Sequence, residues 1–114
     1  EWEWAARSGS TSKFYWGKED PKLYSWFNKN SEKKTQPIGQ KKPNSYGLFD
    51  MAGNVWEWTD SHRETTQGKV LRGGSWRNSM NAMQSFKWIT SLPIYRFHYV
   101  GFRCVSSKLP VNNN

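Results

Sequence analysis

The chain has 114 residues, a formal net charge of +8 and eight tryptophans, and 17% of its residues are aromatic. A mean hydropathy of −0.94 taken alone suggests disorder. Disordered chains are poor in aromatic residues, however, so the composition points to one compact domain with a core built from rings. A single cysteine, Cys104, excludes an intrachain disulfide and a Cys-rich zinc site, and no apolar run is long enough to span a membrane.

In chain order, residues 1–7 read as the end of a helix, with Trp2, Ala5 and Ala6 on one face and Gly9 placed to stop it. Residues 8–25 are rich in turn signals, and Phe14, Tyr15 and Trp16 form an aromatic knot suited to a core. Residues 26–46 form a long polar connection. Such loops are uncommon unless they are functional or packed by their own side chains. Pro43 to Gly47 is a turn signal that leads into Gly47–Trp58, the densest stretch of the chain.

Within that stretch, Val55 to Trp58 partly alternates and fits a short half-buried strand. Asn54 and Glu57 set two hard oxygen donors beside a glycine turn. Such oxygens suit calcium, but two are too few for a site. Spacing alone therefore leaves Asn54 as a turn residue and Glu57 facing solvent. Thr59 to Lys69 reads as a polar excursion, and Val70 to Trp76 holds a strand that ends at Gly73-Gly74. Residues 77–99 show no clean period. Val100 to Val105 alternates with Val100, Phe102 and Cys104 on one side, and reads as a closing strand with Cys104 as a small core residue. Residues 1–107 form the domain, and 108–114 read as a frayed polar tail.

The run GLFDMAGNVWEW at 47–58 closely resembles the signature of the formylglycine-generating enzymes, also called sulfatase-modifying factors. EWEWAAR at 1–7, Tyr15-Trp16-Gly17, WFNKNSEKKTQPIGQKKPNSYG at 26–47, VLRGGSW at 70–76 and VGFRC at 100–104 resemble further motifs of that family in the same order. The resemblance implies an α+β, irregular C-type-lectin-like fold with short antiparallel strands and few helices. It also implies that family members carry about half a domain before residue 1, and any leader would lie upstream of Glu1. The compartment and the oligomeric state stay open.

The family's enzymes oxidise a sulfatase cysteine to formylglycine with a copper(I)-binding cysteine pair. Counted from Arg72-Gly73-Gly74-Ser75, that pair falls on Asn78 and Met83. Soft thiolates select copper(I), so no copper and no catalytic residue is expected here. A related branch uses non-haem iron, which needs two histidines and a carboxylate in one place. His62 and His98, the only histidines, read as surface or packing residues. No G-x-S-x-G, P-loop or H-E-x-x-H occurs, and Asp50, Glu57, Asp60 and Glu64 offer carboxylates without a legible geometry. The resemblance further implies a structural calcium at Asn54, the Val55 carbonyl and Glu57.

One binding feature remains. Rings alternate with adaptable polar groups between Trp76 and Gly101, as in recognition loops. Trp76, Arg77, Asn78, Trp88, Tyr95, Arg96 and His98 are the candidate ligand contacts. In relatives this segment lines the substrate groove or, in a retroelement-diversified lectin-like group, forms the variable ligand surface. The first expectation is a non-catalytic binding module for a protein or peptide. The alternatives are an oxidoreductase subunit working with a missing half or partner chain, a retroelement-diversified ligand-binding protein, and a basic nucleic-acid-binding domain. The last is disfavoured because the basic residues form no single stripe and no nucleic-acid motif occurs.

Overall fold

The computed structural model describes residues 1–62 and 67–106. The boundary at 107/108, the tail and Glu64 lie outside the described residues. Helix α1 spans Trp2–Arg7 and stops at Ser8, whose left-handed backbone (φ 44°) ends it one residue before the expected Gly9. Its last carbonyls do not go unsatisfied. The Asn44 side-chain amide donates to Ala5 O at 2.7 Å and Ala6 O at 3.1 Å, while its Oδ1 accepts from Tyr46 N and Leu48 N. The predicted Pro43–Gly47 turn thus doubles as a helix cap. A short 3-10 turn at Pro21–Leu23 follows, capped by the Asp20 carboxylate on Lys22 N.

Four strands form one sheet in the order β3-β2-β1-β4: β1 Trp56–His62, β2 Lys69–Arg72, β3 Trp88–Ser91 and β4 Val100–Gly101. β1 runs on to His62, so Thr59 to His62 belongs to a strand and not to the polar excursion expected there. β2 ends at Arg72, before Gly73 (φ 100°) and Gly74 (φ 74°), as the glycine pair predicted. β1–β2 and β2–β3 are antiparallel. β4 pairs with β1 in parallel, Trp56 opposite Val100, because residues 92–99 carry the chain from one edge of the sheet to the other. The sheet is therefore mixed, within an α+β architecture of short strands and few helices. No helix among the described residues is long and apolar enough to cross a membrane.

Two expectations are corrected by the strands. β3 is not foreshadowed by any pattern: Trp88, Ile89 and Thr90 are all exposed, so no alternation marks the strand. The closing strand is only two residues long, and Cys104 is exposed, not core. Arg103 reaches inward to a buried carboxylate and claims the inner side of that segment. Phe102 (76% exposed) and Cys104, on the other parity, are left outside.

The core lies beside the sheet. Trp16, Phe27, Ala52 and Met83 are buried together, with Phe14, Tyr15, Tyr24, Met80 and Ala82 packed against them. The predicted knot at 14–16 is its aromatic half. The ring centroids of Phe14 and Trp16 are 5.1 Å apart, and Tyr15 meets Trp16 edge-on at 4.9 Å.

Candidate functional site

The Gly53-Asn54 turn ties the frame together. Gly53 has φ 76°, and a Cβ there would collide with the backbone carbonyl of Trp26. Asn54, itself left-handed at φ 65°, donates its N–H to Trp26 O and accepts from Trp76 N, each at 2.8 Å. Its side chain pairs with the backbone of Gln36, Oδ1 accepting from the N–H and the amide donating to the carbonyl, both at 3.0 Å. Asn54 is thus a buried knot joining residues 26, 36 and 76.

Asn78 has the same role in the next layer of the frame. Its Oδ1 accepts from Ser75 Oγ at 2.6 Å, Trp56 Nε1 at 2.9 Å and Ser75 N at 3.1 Å. Its carbonyl accepts from Asn28 N. The structure therefore assigns Asn78 to the interior frame, and its side-chain oxygen is committed within the protein instead of being offered to a ligand. Met83 is 1% exposed and packs in the core, where its terminal methyl also closes on Gly74.

Glu57 does not face solvent. It is 5% exposed, and Arg103 grips it with Nε on Oε2 at 2.8 Å and Nη2 on Oε1 at 2.6 Å. Trp2 Nε1 adds a third donor at 2.6 Å. Arg103 also donates to the carbonyls of Phe49 and Asp50, which pins the turn where Asp50 is left-handed. Glu57 is the buried member of the pair, and the three donors on its carboxylate fix its geometry while the Arg103 side chain stays partly exposed.

The residues for a calcium ion can be tested against this geometry. A pocket of about 400 Å³ is lined by Asp50, Gly53, Asn54, Val55, Glu57 and Arg103, among others. Asp50 Oδ2 accepts from Gly39 N at 2.8 Å, but its Oδ1 is buried with no hydrogen-bond partner. An orphaned carboxylate oxygen is costly and is the kind of hard donor calcium takes. Val55 and Glu57 line the same pocket, but both Glu57 oxygens are taken by Arg103 and Trp2 and the Asn54 side chain is turned to Gln36, so Asp50 Oδ1 is the carboxylate oxygen left uncommitted there. In the sequence, Asp50 is legible only as an unassigned carboxylate. Among the described residues no group of three or more His, Cys, Asp or Glu is placed to hold a metal.

The candidate ligand contacts divide in two. Trp76 Nε1 donates to His98 O at 3.2 Å, and Arg77 lies over the Tyr99 ring at 4.7 Å. Phe97 stacks on Tyr99 at 5.0 Å, and Tyr95 meets Phe97 at 6.0 Å. Trp76 and Arg77 thus meet the ring series Tyr95–Phe97–Tyr99 through His98 O and the Tyr99 ring, Arg96 and His98 are exposed on the same loop, and the loop is held to the frame by Trp56 N donating to Tyr99 O at 2.7 Å. Trp88 lies elsewhere, on β3 opposite Arg72. Phe97 and Tyr99 complete the array, beyond the contacts that the sequence reading names. Rings recur at every second position, 95, 97 and 99, and that spacing is the available signal.

On α1, Glu3 accepts from Arg7 at 2.8 Å and Arg72 at 3.1 Å. Partial burial opposes its charge, but the two guanidiniums together outweigh it and hold the carboxyl below its ordinary 4.5.

Known proteins bear on this geometry. A family model described as the sulfatase-modifying factor enzyme 1-like domain matches residues 1–108. The chain is 36% identical over 148 residues to a formylglycine-generating enzyme of Mycobacterium tuberculosis, covering 96% of this chain and 50% of the relative. It is 32% identical over 125 residues to the inactive C-alpha-formylglycine-generating enzyme 2 of Bos taurus, covering 93% and 42%. Among solved structures it superposes on the Treponema denticola variable protein 1 with a TM-score of 0.79 and 37% identity, covering 90% of this chain and 43% of that one. The chain thus spans half or less of the length of each of these three.

Proposed function

The chain belongs to the family of sulfatase-modifying factor enzyme 1-like domains, and from that premise we propose that it is a non-catalytic binding module. Its ligand surface is residues 92–99 together with Trp76 and Arg77. The carrying observation is the ring array Tyr95–Phe97–Tyr99, exposed at Tyr95 and Phe97, with Arg77 over its last ring, set on a frame where the Asn54 side chain and the Asn78 side-chain oxygen are bonded internally. Rigid rings beside adaptable polar groups give contact area at low entropic cost. The family includes a relative named inactive, and a similar structure is named a variable protein. The positions that resemblance assigns to the copper-binding cysteines are here a hydrogen-bond hub, Asn78, and a core residue, Met83.

Panning a random peptide library on the native chain tests the reading. Selected binders are expected to lose affinity for Tyr95→Ala. Binders that all ignore this change and also Trp76→Ala overturn the surface. The alternative, an oxidoreductase subunit, is supported by identity to the mycobacterial enzyme. Aerobic incubation with copper and a sulfatase-type cysteine peptide separates the two, since a binding module yields no aldehyde by mass spectrometry.

Calcium, the ion that the family resemblance implies, belongs to this proposal as a structural ion that would be held by Asp50 Oδ1 and the Val55 carbonyl, with Glu57 kept by Arg103. It supplies a positive charge to an orphaned oxygen and, by binding only the folded state, raises stability by mass action. A thermal melt with calcium and with chelator reads this directly. The native chain is expected to melt higher with calcium, and Asp50→Asn to lose most of that difference.

A further inference from the structure

The loop face carries a charge bias that the fold does not answer. Residues 67–106 contain Lys69, Arg72, Arg77, Lys87, Arg96 and Arg103, and no Asp or Glu. Lys69, Arg72 and Arg103 find carboxylates earlier in the chain, on Asp60, Glu3 and Glu57. Arg77, Lys87 and Arg96 are exposed and form no ion pair among the described residues. Tyr99 holds the Arg77 guanidinium beside the rings without neutralising it. The apolar groups on the loop that carries Arg96 are equally open: Ile94 is 79% exposed, Tyr95 49% and Phe97 39%.

Resting on the ligand-surface reading above, we propose that this face recognises an acidic peptide segment of a protein partner, with apolar side chains set between its carboxylates. Arg77 and Arg96 meet the carboxylates, while Ile94, Tyr95 and Phe97 take the apolar side chains. Guanidiniums suit this role because their forked donors match carboxylate geometry. Opposite charge across the contact steers the encounter and selects against basic partners. The ring arrangement argues against single-stranded nucleic acid. Base stacking needs open ring faces. Tyr99 is already engaged by both Phe97 and Arg77, and Phe97 by both Tyr95 and Tyr99. Two cations, Arg77 and Arg96, are also few for a track of phosphates.

Tryptophan fluorescence titration with three probes tests this. They are a peptide alternating Glu with Leu and Phe, its Gln-for-Glu counterpart, and an oligothymidylate of equal length. The acidic peptide is expected to bind about tenfold tighter than the neutral one and to weaken steadily with added salt. Arg77→Gln and Arg96→Gln are each expected to weaken it roughly two- to fivefold. Both side chains are exposed, so neither change threatens the fold. A neutral peptide that binds as tightly, and still loses affinity on Tyr95→Ala, overturns the charge inference and leaves the ligand surface standing. Tighter binding of the oligothymidylate overturns it in favour of nucleic acid. No binding of the acidic peptide also overturns it, and library panning then decides the surface separately.

Discussion

Two regions of this molecule are equally rich in rings and polar groups, yet they are built to opposite ends. Around Asn54 and Asn78 the polar groups close on one another. Asn78 Oδ1 alone serves three donors, and Trp16, Phe27 and Met83 bury their surface together. Along residues 92–99 the rings touch mainly one another, Arg96 has no ion-pair partner among the described residues and Ile94 stands open. Composition does not separate the regions. What separates them is whether each polar group's partner lies within the chain. A closed network makes a frame, and an open one makes a surface.

The sharpest way to break this comparison is at the frame's tightest backbone approach. Gly53→Ala must place a Cβ against the Trp26 carbonyl at φ 76°, and backbone cannot yield as a side-chain tip does. A loss on the order of 3 kcal/mol or more is expected, enough to abolish a cooperative thermal transition. A normal melt would show that the frame is looser than described. Asn78→Ala comes next. It strands Trp56 Nε1, Ser75 N and the Ser75 hydroxyl, and a cost of roughly 2–4 kcal/mol is expected in urea unfolding. If Asn78 belonged to the ligand surface instead, stability would barely move and binding would fall.

Legibility in the sequence follows the same division. The helix, the start of β1 and the end of β2 are readable because glycines and short-range pattern mark them. The frame is not readable, because its partners are remote: Trp56 meets Asn78 across 22 positions and Glu57 meets Arg103 across 46. Asn54 and Glu57 show as oxygen donors, but nothing local shows that Gln36 and Arg103 claim them. The alternation at 100–105 misplaces Cys104, because it suggests inward-facing apolar residues where a buried ion pair reverses the parity. Within residues 77–99 the exposed rings are legible as rings between polar residues, but the frame role of Asn78, the burial of Met83 and the strand at Trp88–Ser91 are not.

A smaller effect tests the intermediate case, an ion pair at the rim of the frame. Arg7 and Arg72 hold the Glu3 carboxyl below its ordinary 4.5. A depressed carboxyl contributes stability that is present above the ordinary value and is lost as pH falls through the lower folded one. Denaturant midpoints followed from neutral pH to about pH 3 are expected to fall less steeply for Glu3→Gln than for the native chain. Parallel curves would show that the two arginines contribute nothing there.

The smallest expected effect is the most diagnostic of the open region. Ile94 is 79% exposed, whereas Leu71, a residue of similar size, is 1% exposed. Truncating a buried aliphatic side chain costs about 2–5 kcal/mol, because transfer and cavity terms add. A residue that already sits in water removes almost no burial when it is replaced. Ile94→Ser is therefore expected to shift unfolding by no more than about 0.5 kcal/mol. It removes an apolar group from the face where Tyr95 and Phe97 lie, so affinity for a selected peptide is expected to drop while the melt stays put. That pairing separates a ligand surface from a loop that merely packs. If Ile94→Ser instead lowers the melting temperature by several degrees and leaves peptide affinity intact, residues 92–99 belong to the frame, and the distinction between the two regions fails at its clearest residue.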